Sequence, residues 1–177
     1  WIERNPRKYR LVLGGAGRKI FERGIGLDRE TTVVEAVSTC DWVLTGSSWQ
    51  SDLELSAIQY ARGKGKYVIT FLDHWVNYRA RLLRNGQLIA PNEVWVGDEY
   101  AYELAKQELP EVLRIRQVTN SYIVESVRQI KKQEVRVAPG KVRILYVCEN
   151  ISEHALSSYG DEYHWGYTEY DAIRYCL

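Results

Sequence analysis

The chain has 177 residues, and its 24 Lys and Arg residues against 23 Asp and Glu residues give a formal net charge of +1 at pH 7. Hydrophobic residues make up 45% of the chain and charged residues 27%, which is typical of one globular domain and excludes a disordered or collagen-like chain. Nucleic-acid and anionic-lipid partners normally leave a basic excess on a domain. The balanced charge therefore predicts no nucleic-acid partner.

The cysteines and the hydropathy pattern exclude further classes of protein. Cys40, Cys148 and Cys176 are widely spaced, with no C-x-x-C pair and no matching histidine cluster, so we predict reduced thiols, no metal site and a cytoplasmic location. No apolar run approaches the ~20 residues of a membrane span, so no transmembrane segment is predicted. The chain contains no methionine, and we expect that Trp1 is not the natural start and that the chain is part of a longer protein.

Short apolar runs alternate with helical patterns along the chain. The runs predict strands at residues 9–13, 41–45, 67–72, 93–96 and 143–147, with two further candidates at 32–34 and 113–118. Apolar residues at helical spacing predict helices over residues 17–23, 51–62, 98–109 and 121–132, and again over 167–177. This order predicts an α/β fold, a Rossmann-like parallel sheet with helices on both faces.

A polar stretch at residues 133–141 contains Pro139 and Gly140 and precedes a predicted strand. Such a stretch indicates a boundary between lobes; a long surface loop is the alternative. We predict one lobe over residues 1–138, truncated at its start, and a strand and helix over 139–177 that lead to a second lobe mostly outside this chain.

Polar or small residues follow most of the predicted strands. Ligands of open parallel sheets bind in the crevice at the carboxyl ends of the strands, so these residues are candidate ligand contacts, although loop starts are polar in any protein. The candidates at strand ends are Gly14, Gly15, Ser47, Ser48, Trp49, Asp73, His74, Asp98, Glu99, Asn120 and Glu149.

The pair Asp73 and His74 is the strongest chemical signal among them. A histidine exchanges protons near neutral pH, and a carboxylate beside it can fix its tautomer. Adjacent residues of a strand point to opposite sides, so the two side chains need not touch, and a structural histidine is the alternative. An aromatic ring, an amide and a guanidinium suited to a hydroxylated or anionic ligand follow in Trp75, Asn77, Tyr78 and Arg79.

Two glycine-containing turns favour a polar ligand less specifically. G-G-A-G at residues 14–17 resembles half of a dinucleotide fingerprint, but the full G-x-G-x-x-G spacing is missing, and no cofactor is predicted. Residues 45–52 supply hydroxyls and helix-start N–H groups that suit a sugar or a phosphate. A plain capped helix, with Ser51 as N-cap and Glu54 completing a capping box, explains the same residues.

Several strings of this chain are similar to those of bacterial two-lobed GT-B glycosyltransferases of polysaccharide biosynthesis. They include D-W-V-L-T-G-S-S-W-Q-S-D-L-E, L-D-H-W-V-N-Y-R, N-E-V-W-V-G-D-E-Y-A and I-L-Y-V-C-E-N-I-S-E-H-A. The resemblance implies two Rossmann-like lobes, the first holding a glycan acceptor and the second a nucleotide-sugar donor. It implies His74 or Asp73 as the acceptor base, with Asp98 and Glu99 behind them.

The sequence therefore predicts the acceptor-side lobe of a metal-independent glycosyltransferase, with a nucleotide sugar as co-substrate and no other cofactor. One alternative is a non-catalytic Rossmann-like module that binds a sugar or nucleotide in the same crevice. Another is a nucleotide-sugar epimerase of the same architecture, for which Asp98, Glu99 and Glu149 matter more than His74.

Overall fold

A computed structural model describes residues 9–24, 28–48, 51–130, 140, 142 and 145–176. The chain divides into two compact units, Trp1–Ile130 and Lys131–Leu177. The elements of the first unit are α1 (Gly15–Gly24), α2 (Val33–Thr39), β1 (Trp42–Thr45), α3 (Leu53–Gly63), β2 (Tyr67–Leu72), α4 (Tyr78–Arg81), β3 (Leu83–Arg84), β4 (Gln87–Leu88), β5 (Glu93–Val96), α5 (Glu99–Glu108), β6 (Ile115–Gln117) and α6 (Ser121–Gln129).

Four strands form a parallel sheet in the order β1-β2-β5-β6, with helices around it. This arrangement confirms the predicted α/β Rossmann-like fold. Leu72 lies opposite Val96 and Thr45 opposite Thr70, so the strands end at a common edge. The residues that follow β2, β5 and β6 therefore meet there.

The core lies on the sheet face where alternate strand residues are fully buried. Thr70 contributes a hydroxyl to this face, and Thr45 Oγ1 lies 2.9 Å from Thr70 Oγ1, so each buried hydroxyl has a partner. The other core side chains are apolar, and their burial supplies the main driving force for folding. The core strand and helix residues include Leu55, Ile58, Ala61, Val68, Leu72, Val94, Val96, Ala101, Ala105 and Leu109.

Three predicted strands are wrong in whole or in part. The candidate at 32–34 is the start of α2, because the Thr32 hydroxyl accepts from the Glu35 backbone N–H and caps a helix. In the run 9–13, Leu11 forms an isolated parallel bridge with Glu30. Residues 145–147 form no strand, and Leu145 is 86% exposed, because an apolar run becomes a buried strand only where neighbouring strands pair with it; residues 143 and 144 lie outside the described residues.

The predicted helices are confirmed with shifted ends. The first begins at Gly15, and the second is α3, whose N-cap is Asp52. Ser51 is not that N-cap: its hydroxyl bonds to the Glu54 carboxylate at 3.2 Å instead of to a backbone N–H. The predicted helix 98–109 is α5, and the helix predicted over 121–132 ends at Gln129, with 131 and 132 outside the described residues.

Residues 73–77 connect β2 to the four-residue helix α4, and we call them the strap. Asn77 has a left-handed backbone, with φ 58° and ψ 35°, which asparagine tolerates better than most residues. The turn sends Tyr78 and Arg81 of α4 into buried positions. The β3–β4 hairpin follows, turning at Asn85 and Gly86, which both have positive φ.

The second unit contains α7 (Ile151–Tyr159) and α8 (Glu169–Cys176). The Glu169 carboxylate accepts hydrogen bonds from the Ser152 backbone N–H and hydroxyl, both at 2.9 Å, and these bonds lower the pKa of Glu169. The Tyr159 and His164 rings stack with centroids 3.8 Å apart. Across the described residues of both units, no helix is both long and apolar enough to cross a membrane.

Candidate functional site

A small pocket opens at the carboxyl edge of the sheet in the first unit. Its volume is about 60 Å³, which is room for only a few water-sized groups, since a water needs roughly 10–15 Å³. It is lined by residues from the ends of β2 and β5 and the first turns of α5 and α6: Phe71, Leu72, Asp73, His74, Trp75, Gly97, Asp98, Ala101, Asn120 and Ile123. The structure thus brings together four predicted site residues, Asp73, His74, Asp98 and Asn120.

Asp73 and His74 contact each other, although adjacent strand residues need not. The strand ends at Leu72, so the two residues lie in the strap, and His74 Nε2 is 3.3 Å from Asp73 Oδ1. With Nε2 facing the carboxylate, Nδ1 is the nitrogen left to accept a proton from a ligand. Both side chains are about half exposed, so solvent and ligands reach them freely.

Asp98 links the strap to α5. Its Oδ1 accepts from the Ala101 backbone N–H at 2.8 Å, which makes it the N-cap of the helix. Its Oδ2 accepts from Trp75 Nε1 at 2.8 Å. Because both oxygens already accept hydrogen bonds, Asp98 acts in this arrangement as a structural link between two walls of the pocket.

Asn120 caps the second helix that borders the pocket. Its Oδ1 accepts from the Ile123 backbone N–H at 3.3 Å, at the start of α6. Its amide NH₂ group remains as a donor beside the pocket. The first turns of α5 and α6 thus lie beside the pocket with their partial positive ends, which favours ligand oxygens.

Tyr78 is a buried polar residue that follows the strap directly in the chain. Its side chain is fully buried, and no group of the described residues hydrogen-bonds to its hydroxyl. Burial is the largest cause that raises the pKa of Tyr78, to about 12, and the charges of Asp98, Glu108 and Asp73 raise it further against the lowering effect of Arg81. The hydroxyl is therefore protonated at neutral pH and lies within electrostatic range of two pocket carboxylates.

Ser47 lies at the end of β1 and is tied to α4. Its carbonyl accepts from Arg81 Nη1 at 2.7 Å, and Arg81 is 7% exposed. The Ser47 hydroxyl is buried and has no hydrogen-bond partner among the described residues. Sequence reasoning missed Arg81, because an arginine three residues after Tyr78 looks the same in the sequence whether it is buried or solvated.

Other predicted site residues of the first unit do not line the pocket. The Arg79 guanidinium pairs with both Glu111 carboxylate oxygens, at 2.7 and 2.9 Å. This pairing raises the pKa of Arg79 and lowers that of Glu111. A Cβ on Gly14 would lie 3.1 Å from Leu53 Cδ2, so this glycine permits close packing against α3. The remaining residues of this group are Gly15, Ser48, Asn77 and Glu99.

Two predicted site residues are not among the described residues of the first unit. Trp49 is outside the described residues. Glu149 belongs to the second unit, where it is exposed just before α7, and its carbonyl accepts from the Ile151 N–H at 3.0 Å. Leu72 and Val96 end the neighbouring strands β2 and β5, whereas Val147, at the end of the run predicted over 143–147, is in no strand.

Within the part of the chain that the structure describes, no three His, Cys, Asp or Glu side chains are arranged to hold a metal ion. Comparison with known proteins found no matching family model, no similar curated protein and no similar solved structure. The site geometry and the sequence are therefore the basis for any functional proposal.

Proposed function

We propose that this chain is the acceptor-side lobe of a glycosyltransferase and that its sheet-edge pocket binds the hydroxyl of a sugar or glycan acceptor. The observation that carries the proposal is the Asp73–His74 contact of 3.3 Å beside the pocket. Asn120 and the starts of α5 and α6 add polar groups suited to a hydroxylated ligand. The pocket has room for a few water-sized groups, such as one hydroxyl of the acceptor, and in this proposal the rest of the acceptor lies over the exposed strap.

In the proposed reaction His74 acts as a general base. Nδ1 takes the proton from the acceptor hydroxyl, whose oxygen forms a bond to the anomeric carbon of the donor sugar. The bond from that carbon to the nucleotide phosphate breaks, and the phosphate leaves with the electron pair. Asp73 holds the imidazole through Nε2 and stabilises the imidazolium that forms.

The test is a transfer assay with the full-length protein and a panel of radiolabelled nucleotide sugars and glycan acceptors. His74→Ala should lower kcat by about 10²- to 10⁴-fold, the usual contribution of a general base, and Asp73→Asn should lower it less. Asp41→Asn, an exposed change outside the pocket, is the matched control. Full turnover in both His74→Ala and Asp73→Asn would contradict the proposal.

A second candidate is a non-catalytic module that binds a sugar or nucleotide, and the starts of α5 and α6 beside the pocket, which attract ligand oxygens, favour it. Calorimetric titration with UDP-glucose separates the two candidates. In the glycosyltransferase the donor site lies on another lobe, so a His74→Ala change should leave UDP-glucose affinity unchanged. A loss of that affinity, with no transfer activity in the wild-type protein, would favour the module.

A further inference from the structure

Two buried hydroxyl groups of the first unit have no hydrogen-bond partner among the described residues, whereas buried polar groups normally have one. They are Tyr78 Oη, in the first residue of α4, and Ser47 Oγ, two residues after the end of β1. Arg81 connects their surroundings, because it belongs to the same helix as Tyr78 and donates to the Ser47 carbonyl. An unpartnered buried hydroxyl destabilises the folded state, so such an exception in a native fold needs an explanation, and a functional role is one.

The strap, which leads directly into Tyr78, is exposed and is tied to Asp98 by a hydrogen bond. Trp75 is 53% exposed and Val76 is 54% exposed. Trp75 Nε1 donates to Asp98 Oδ2 at 2.8 Å. The strap meets α4 at Asn77, whose left-handed backbone marks a sharp change of chain direction. The bond from Trp75 to Asp98 is thus a tie between the strap and α5 that a bound ligand could replace.

We propose that Tyr78 is a ligand-binding residue: the strap moves away from Asp98, and the Tyr78 hydroxyl then donates a hydrogen bond to a hydroxyl group of the bound ligand. The inference rests on the proposed function for the class of ligand, a hydroxylated sugar. The bound ligand supplies the partner that the hydroxyl lacks in the closed arrangement. Asp98 and Asp73, which both line the pocket, are close enough to this hydroxyl to raise its pKa.

The first test compares two identical substitutions in urea unfolding. Tyr78→Phe removes a hydroxyl without a partner and should raise the urea midpoint. Tyr67→Phe is the matched control: its hydroxyl donates to Glu93 Oε2 at 2.8 Å, so its removal should lower the midpoint. A midpoint for Tyr78→Phe at or below that of the wild type would mean that the hydroxyl is already satisfied, and would overturn the inference.

The second test measures strap opening without any ligand. Trp75→Phe removes the donor to Asp98. Nitration of Tyr78 by tetranitromethane, measured by peptide mass spectrometry, should then become faster on the order of tenfold, because loss of a hydrogen bond to a charged group increases the open population by about that factor. Trp95→Phe is the control, because it removes an equivalent bond to Glu93 at the opposite end of the sheet. Equal acceleration of nitration by both changes would indicate global unfolding and would overturn the proposal that the strap opens.

The third test measures binding of methyl α-glucoside by calorimetry. Tyr78→Phe should weaken binding on the order of tenfold relative to the wild type. Equal affinity in the two proteins would overturn the ligand contact. If the wild-type protein binds no glycoside while the first two tests succeed, the proposed function fails. The absence of a partner for the Tyr78 hydroxyl and the opening of the strap are then still supported.

Discussion

A tryptophan–carboxylate hydrogen bond is found at each end of the strands β2 and β5. The two ends differ in whether the neighbouring buried polar groups also have hydrogen-bond partners. At the amino ends, Trp95 Nε1 donates to Glu93 at 2.7 Å, and Tyr67 donates to the same carboxylate. Beyond the carboxyl ends, Trp75 donates to Asp98, but the nearby Tyr78 hydroxyl has no partner among the described residues. The satisfied end stabilises the fold, whereas unsatisfied groups in a native protein concentrate at sites of function.

The electrostatics of Glu93 show how the amino end is stabilised. Glu93 is 4% exposed, and burial alone would raise its pKa. Hydrogen bonds from Trp95 and Tyr67, with the charges of Arg116 and Arg114, more than offset burial, so the pKa of Glu93 is lowered. The carboxylate is thus held ionised by its partners.

The largest expected effect comes from breaking the satisfied end. Glu93→Ala leaves the Tyr67 and Trp95 donors without their acceptor and should lower the free energy of unfolding by about 3 kcal/mol, since each unsatisfied buried group costs roughly 1–3 kcal/mol. Urea unfolding measures it. Glu103→Ala, which removes an exposed partner of Lys106, is the control and should change stability little. Equal losses in the two variants would remove the distinction between the two ends.

A smaller effect is expected at alkaline pH from the unsatisfied end. The pKa of Tyr78 is raised to about 12, so an unfolded tyrosine ionises near pH 10 while the folded one does not. The stabilisation this shift gives is complete below pH 10 and is lost as the pH rises towards 12, by about 2–3 kcal/mol for two pKa units. Unfolding curves at pH 9 and 12 should show a smaller loss in Tyr78→Phe than in the wild type. An identical loss would show that Tyr78 ionises normally.

The smallest effect on stability is expected from Asp98→Asn. Asparagine caps a helix about as well as aspartate, so the free energy of unfolding should change by less than about 1 kcal/mol. The single oxygen of asparagine keeps the cap on α5, so its NH₂ group, a donor, faces the Trp75 N–H and the bond from Trp75 is lost. Hydrogen exchange of the strap amides should therefore become faster, while exchange in β2 and β5 stays the same. Unchanged strap exchange would mean that Asp98 does not hold the strap.

The sheet was predictable from the sequence where burial and pattern agree. Residues 67–72 and 93–96 are apolar runs that become β2 and β5 with the predicted bounds. The prediction failed at Thr32, because a capping hydroxyl outweighed the β-branched residues after it. It also omitted the β3–β4 hairpin: Asn85-Gly86 is a strong turn signal, but strands of two residues are too short to show alternation.

The pocket was predictable to the extent that the fold was. Asp73, His74, Asp98 and Asn120 follow directly from the rule that ligands meet the carboxyl ends of parallel strands. Tyr78 stood next to the predicted pair in the sequence, but its burial and its missing partner depend on the left-handed turn at Asn77. Tertiary features of this kind leave no periodic trace in a sequence.

The threonine pair on β1 and β2 has a consequence for the site although neither residue touches it. Thr45 and Thr70 stand opposite each other in the interior, and a slip of one residue between these strands would set Thr45 opposite Ile69 or Phe71, whose side chains cannot bond to its hydroxyl. The alternative alignments are thereby penalised. Two small side chains in the interior thus help to decide which loops become neighbours at the sheet edge.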